Sequence, residues 1–243
     1  MSSASEPTPP LPFPPDLACV RIVGSFAELV ATPFADGVNA LCWPRALTGD
    51  FDNIAACVGP LDEITTLEED DLRSLDLSAA GRLARETLIA DLRLLREAGL
   101  APELNLIPAY PRADAADLVP TDVYSFHADS APVPTDTYLN SYTVAASEGL
   151  RPQDAIRHAD LPATRAKLLA AYGGADDAGF AAWLTENFYD LHYVAAPGAR
   201  PYGFGFGHLW RIATDHPGSP VPPCVHRAPA TTPGQPPRLL LIS

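Results

Sequence analysis

Val123-Tyr124-Ser125-Phe126-His127-Ala128-Asp129 is the stretch on which the reading of this chain turns. Its aromatic and apolar residues are strand formers, and along a strand residues i and i+2 stand on the same face. His127 and Asp129 therefore share a face, where an imidazole and a carboxylate can bind one metal ion from neighbouring positions. A second H-x-D, His158-Ala159-Asp160, ends a helical stretch and runs into Leu161-Pro162. There Asp160 reads as an N-cap ahead of a proline-started helix.

A metal needs a third ligand, and His226 offers it from the short segment Cys224-Val225-His226-Arg227. Twelve residues further on, Arg238 opens the apolar run Arg238-Leu239-Leu240-Leu241-Ile242 (238 − 226 = 12). Two imidazoles and one carboxylate on one side of a metal leave the opposite positions open, which suits Fe(II) taking up a cosubstrate and dioxygen. A guanidinium on a neighbouring strand can hold a carboxylate bidentately. Arg227, next to His226, points to the other face of its strand.

Working outward, Leu17–Val23 and Val38–Trp43 read as strands with a short helix, Ser25–Val30, between them. Leu61–Leu75 is acidic with helical spacing. Ser78–Ala98 is the clearest helix, with Leu83, Leu88, Leu92 and Leu95 near one face and Gly99 as its stop. Strands follow at Leu104–Tyr110, Val123–Asp129 and Thr137–Ala145. A helical insertion at about 150–190 comes in pieces at Pro152–His158, Ala163–Tyr172 and Ala178–Phe188, and is a candidate lid. Strands return at Leu191–Ala195, Gly207–Ala213, Cys224–Arg227 and Arg238–Ile242. The expectation is an α+β domain with a mainly antiparallel β core, spanning 16–243 behind a disordered Pro-rich tail at 1–15.

Composition removes several function classes. Sixteen Lys+Arg against 30 Asp+Glu leave a net charge of −14, which repels phosphate backbones and anionic lipid. Lys167 is the only lysine, so arginine at any one position carries less weight than usual. No apolar stretch is long enough for a membrane span and no secretory signal precedes the fold, so a cytoplasmic protein is expected. Four cysteines, Cys19, Cys42, Cys57 and Cys224, form no CxxC pair. Phosphate-loop, nucleophile-elbow and zincin motifs are absent. Gly203-Phe204-Gly205-Phe206-Gly207 lacks the spacing of a dinucleotide loop and reads as an aromatic loop or bulged strand.

H-x-D, a distal His and an Arg about a dozen residues later resemble the Fe(II)/2-oxoglutarate-dependent oxygenases. Phe126-His127-Ala128-Asp129-Ser130, His226-Arg227-Ala228-Pro229 and Pro237-Arg238-Leu239-Leu240 look like an uncharacterised bacterial family related to them, as does the early segment Val38-Asn39-Ala40-Leu41-Cys42-Trp43-Pro44-Arg45. The resemblance implies a double-stranded β-helix (jelly roll, cupin-like) with N-terminal helices and a helical insertion. It implies iron ligands at His127, Asp129 and His226, with Arg238 on the distal carboxylate of 2-oxoglutarate. It further implies that one face of the strand after the H-x-D looks into the barrel, where Tyr138 or Asn140 would touch the cosubstrate. Tyr110, Arg112 and His208 are candidates for a substrate pocket, against a plain core or surface role. Trp183 and Phe188 read as core or lid packing, His192 and His216 as structural.

The sequence departs from the family at Leu240, where a Ser or Thr two residues after the arginine is common. Asp129, by contrast, argues for hydroxylation or another oxidation over halogenation. The expected partners are dioxygen and a small-molecule substrate. Two rivals use the same ligands: a cupin-like metal dioxygenase that does not use 2-oxoglutarate, and a non-enzymatic metal-binding protein closed around zinc with Cys224 as fourth donor. A β-rich interaction domain would need no metal.

Overall fold

The computed structural model describes residues 11, 13–14, 17–114, 117–143, 145–232 and 234–243. Most of the tail expected at 1–15 lies outside the described residues. At Phe13 the expectation of disorder does not hold, because its ring is buried edge-on against Trp210 and Tyr202, with centroids 5.3 and 6.4 Å away.

The first half of the chain lays helices over strands. β1 (Val20–Ile22), α1 (Phe26–Ala31) and β2 (Ala40–Trp43) are followed by α2 (Phe51–Val58), β3 (Thr65–Thr66), α3 (Glu69–Ser74), α4 (Ala79–Glu97) and β4 (Glu103–Ile107). Side-chain caps set the helix starts: Ser25 accepts from the Glu28 N–H, Asp50 from Asn53 and Ser78 from Gly81. Gly99, at φ +80°, ends α4. Two expectations are corrected here. The Leu61–Leu75 stretch splits into β3 and α3, because Thr65 and Thr66 pair with β4, and α2 was not expected at all. On α4 the buried stripe runs through Ala84, Leu88, Asp91, Leu92 and Leu95, leaving Leu83 57% exposed one position out of phase.

The second half supplies β5 (Phe126–His127), β6 (Asp136–Ser141), β7 (Glu148–Gly149) and β8 (Ala155–Arg157), then α5 (Pro162–Tyr172) and α6 (Ala178–Glu186). β9 (His192–Ala195), β10 (Tyr202–Gly203), β11 (Leu209–Ala213), β12 (His226–Arg227) and β13 (Arg238–Ile242) complete it. The helix expected at Pro152–His158 is instead a 3-10 turn followed by β8, since Ala155, Ile156 and Arg157 pair with β9. α5 and α6 build a small core of their own from Leu168, Phe180 and Leu184 with Val119 and Ala159.

This is an α+β protein with two sheets. The seven-stranded sheet has the order β1-β2-β11-β6-β13-β4-β3 and the six-stranded sheet β10-β7-β12-β5-β9-β8. Every strand pair except β1–β2 is antiparallel. Alternation along the strands sorts the large sheet into two layers. Leu41, Leu104, Tyr138, Leu209, Leu239 and Leu241 pack against Leu88, Leu92 and Leu95 of α4. Cys42, Ile107, Leu139, Trp210, Ile212 and Leu240 pack on the opposite side with Tyr202 of the second sheet and with Phe204 and Cys224, which flank its strands. Phe204 stacks on Trp210 at 4.4 Å while Gly205 and Gly207 take positive φ, so the glycine-aromatic run is a turn that drives one ring into the core. Among the described residues no helix is long and apolar enough to cross a membrane.

Candidate metal centre

β5 and β12 are neighbours in the six-stranded sheet, and their register sets His127 directly opposite His226. Residues so paired share a face of the sheet. Phe126, Ala128 and Val225 pack together on the other face, so both imidazoles project into the space between the sheets. Their ring centroids are 4.6 Å apart. Asp129 joins them from two residues beyond His127: Oδ1 lies 3.9 Å from His127 Nε2, and Oδ2 3.9 Å from His226 Nε2. One donor atom from each of the three falls within 4.8 Å of the other two, and this His-Asp-His cluster could hold a metal ion.

Hydrogen bonds fix which nitrogen each histidine offers. His127 Nδ1 is 2.9 Å from the Ser125 carbonyl oxygen, and His226 Nδ1 is 3.2 Å from that of Cys224. A carbonyl only accepts, so each Nδ1 carries the proton and donates it two residues back along its own strand. Both Nε2 lone pairs are left for a cation, the tautomer a ligating histidine needs. Thr137 reaches across from the seven-stranded sheet and donates its hydroxyl to Asp129 Oδ2 at 2.6 Å. Burial, and then the neighbouring His226, hold the His127 imidazole down at about 4. Burial opposes ionisation of Asp129, but His226, the Thr137 hydroxyl and His127 outweigh it and lower its pKa.

Arg238 faces the same inter-sheet space from β13 and is 4% exposed. Its Nη2 donates to Ser141 Oγ at 2.8 Å and Ser147 Oγ at 2.7 Å, and Nη1 donates to Tyr110 Oη at 3.3 Å. Nε is buried without a partner, and among the described residues no carboxylate pairs with this guanidinium. Burial depresses its pKa. A desolvated cation ringed by neutral hydroxyls suits an anion that can take the planar fork. Ser141 stands opposite Leu240 in the β13–β6 register. The hydroxyl missing two residues after the arginine is thus supplied across the sheet. Ser147 lies just before β7, two residues ahead of Gly149, the partner of His226, which ties this arginine's contact to the strand beside the metal cluster.

The other expected residues divide. Tyr110 touches Arg238 and lines a narrow cleft beside it with Thr231 and Gln235. Arg112 is exposed and stacks over the Tyr124 ring at 3.7 Å. Tyr138 and Asn140 are corrected: they belong to the face of β6 turned toward the helices, where Tyr138 packs with the α4 leucines. Thr137 and Ser141, on the opposite phase of the same strand, make the inter-sheet contacts instead. His208 is drawn away as well, its Nδ1 accepting the Arg45 backbone N–H at 3.2 Å. Asp160 does not cap α5, whose N-cap position is Leu161. Cys224 turns its thiol toward Tyr202, with Sγ 3.6 Å from Oη, and does not belong to the ligand cluster.

Sequence reading missed Ser125, Thr137, Ser141 and Ser147, which orient the ligands or Arg238. Only Thr137 and Ser141 carried a signal, as alternate residues of one strand. Which phase faced inward depended on where the helices packed. No family model, curated protein or solved structure matches the chain.

Proposed function

We propose that this chain is a non-haem iron oxygenase on a double-stranded β-helix, using Fe(II) and 2-oxoglutarate to oxidise a small molecule. One observation carries the reading. On the facing sides of two sheets, a three-donor His-Asp-His cluster lies near a buried arginine whose partners are neutral hydroxyls. Two Nε2 donors and one carboxylate make the facial donor set that suits Fe(II) with open positions. Closed tetrahedral zinc would want a fourth protein donor, and the Cys224 thiol is engaged with Tyr202.

His127, Asp129 and His226 would hold the metal, and Arg238, with Ser141, Ser147 and Tyr110, the distal carboxylate of the 2-oxo acid. Bound iron supplies the redox chemistry, coupling oxidative decarboxylation of that acid by dioxygen to oxidation of a substrate C–H bond. The chain contributes placement. Ser125 and Cys224 carbonyls set the rings, Thr137 sets the carboxylate, and Leu139, Phe204, Trp210 and Leu240 exclude water from the space between the sheets.

The test is an anaerobic titration with Fe(II) and then 2-oxoglutarate, following the visible charge-transfer band of the chelate. The band should require both additions and weaken in Arg238→Ala and His226→Ala. The rival on the same ligands is a metal dioxygenase that does not use 2-oxoglutarate. Iron bound with no band on adding the 2-oxo acid would move the assignment there, and no iron at all would end both.

A further inference from the structure

We propose that His192 and His158 form an outer binding position for a divalent transition-metal cation, from which the ion passes inward to His127, Asp129 and His226. The inference rests on the metal reading of that triad and not on the oxygenase chemistry.

The six-stranded sheet lines up histidines across three adjacent strands. His226 on β12 is opposite His127 on β5, and His127 is opposite His192 on β9. β8 and β9 pair as far as Arg157 opposite Tyr193, and the next residue, His158, opens a 3-10 turn beside the start of β9, where His192 stands. Three of the six histidines in the chain thus fall on one row, with His158 at its outer end. Directly opposed residues carry Cβ atoms roughly 4.5–5.5 Å apart, and zinc-type cations sit about 2.0–2.1 Å from an imidazole nitrogen. Neighbours on such a row can share an ion between them. The His127 and His192 ring centroids are 6.0 Å apart.

His192 has the nitrogen for this. Its Nδ1 lies 3.2 Å from Ser125 Oγ, whose own hydrogen goes to backbone carbonyls, that of Asp122 at 2.7 Å and of Pro120 at 3.1 Å. Ser125 Oγ therefore accepts from the His192 Nδ1–H, and Nε2 keeps a lone pair. His158 makes no side-chain hydrogen bond among the described residues, and after burial its proximity is what most lowers the His192 pKa. His158 is partly exposed and His192 is 6% exposed, so the outer pair opens to the surface at His158. Asp122 and Asp190 lie near His192, and a chain of net charge −14 draws cations to such a port.

The experiment uses the full chain and Co(II) alone. Equilibrium binding is read from the visible absorbance of the ion, and loading from stopped-flow quenching of tryptophan fluorescence. The wild type should show a tight and a weaker class of site. His158→Ala, at a partly exposed position, should lose the weaker class and fill the tight one about 10-fold more slowly with its affinity unchanged. His192→Gln should do the same, and His226→Ala should lose the tight class while keeping the weaker. A single class in the wild type overturns the outer position, as do wild-type loading rates in both His158→Ala and His192→Gln. A tight class that survives in His226→Ala overturns the triad reading itself.

Discussion

His127 and His226 face one another across the β5–β12 pair with ring centroids 4.6 Å apart, each tied through Nδ1 to the carbonyl two residues behind it. The two rings are oriented by the same device, a strand bonding its own histidine back to itself. The cluster is therefore held by backbone before any metal arrives, and side chains from the other sheet refine it.

Thr137 is the clearest of those refinements. Its hydroxyl donates to Asp129 Oδ2 at 2.6 Å from the opposite sheet. Thr137→Val keeps the shape and removes the bond, so Co(II) affinity measured by calorimetry should fall roughly 10–100-fold. The thermal midpoint should move little, because one partly exposed carboxylate can turn to water.

Arg238 is a buried cation bonded to hydroxyls alone. Replacing it with methionine removes the desolvation cost while filling most of the volume. The apo-protein of Arg238→Met should be as stable as wild type or more so, by roughly 1–4 kcal/mol in urea. The same variant should lose the band formed with 2-oxoglutarate, and Arg238→Lys should not restore it, since a point charge lacks the fork. A variant that binds the 2-oxo acid normally would remove Arg238 from the site.

Acid should destabilise the metal-free protein in a defined window. His127 and His192 are held at about 4 in the fold, chiefly by burial, against 6.5 ordinarily. Below 6.5 the unfolded chain binds protons that the folded chain refuses. Stability present above that value is therefore lost as pH falls toward 4. Melting curves from about pH 7 down to about pH 4.5 should show the decline, with a shallower slope in His192→Gln.

Away from the metal, Asp91 on α4 is buried and takes both Arg45 Nη atoms at 2.6 and 2.8 Å and the Tyr142 hydroxyl at 2.6 Å. It clamps the helix to the sheet. Asp91→Ala leaves Arg45 buried without its counter-charge and should cost about 3–5 kcal/mol in urea, with an unchanged m-value. Co(II) stoichiometry of the folded fraction should stay at the wild-type level.

The sequence by itself determined the parts whose signal is local. Apolar spacing and a Ser78 cap define α4, and β-forming runs mark β2, β4, β11 and β13. Period two puts His127 and Asp129 on one face whatever the strand pairs with. Tertiary structure decided everything that depends on which strand lies beside which. The pairing of β5 with β12 brings His226 to His127, and the register of β13 on β6 places Ser141 where Leu240 offered no hydroxyl. The phase of β6 was equally out of reach. Alternation says that Thr137, Leu139 and Ser141 oppose Tyr138 and Asn140, but only the packing of α4 on the seven-stranded sheet decides which set turns inward. A period is a property of the backbone and can be read along the chain. The choice of face is made by what else is buried there, and that is settled only when distant segments meet.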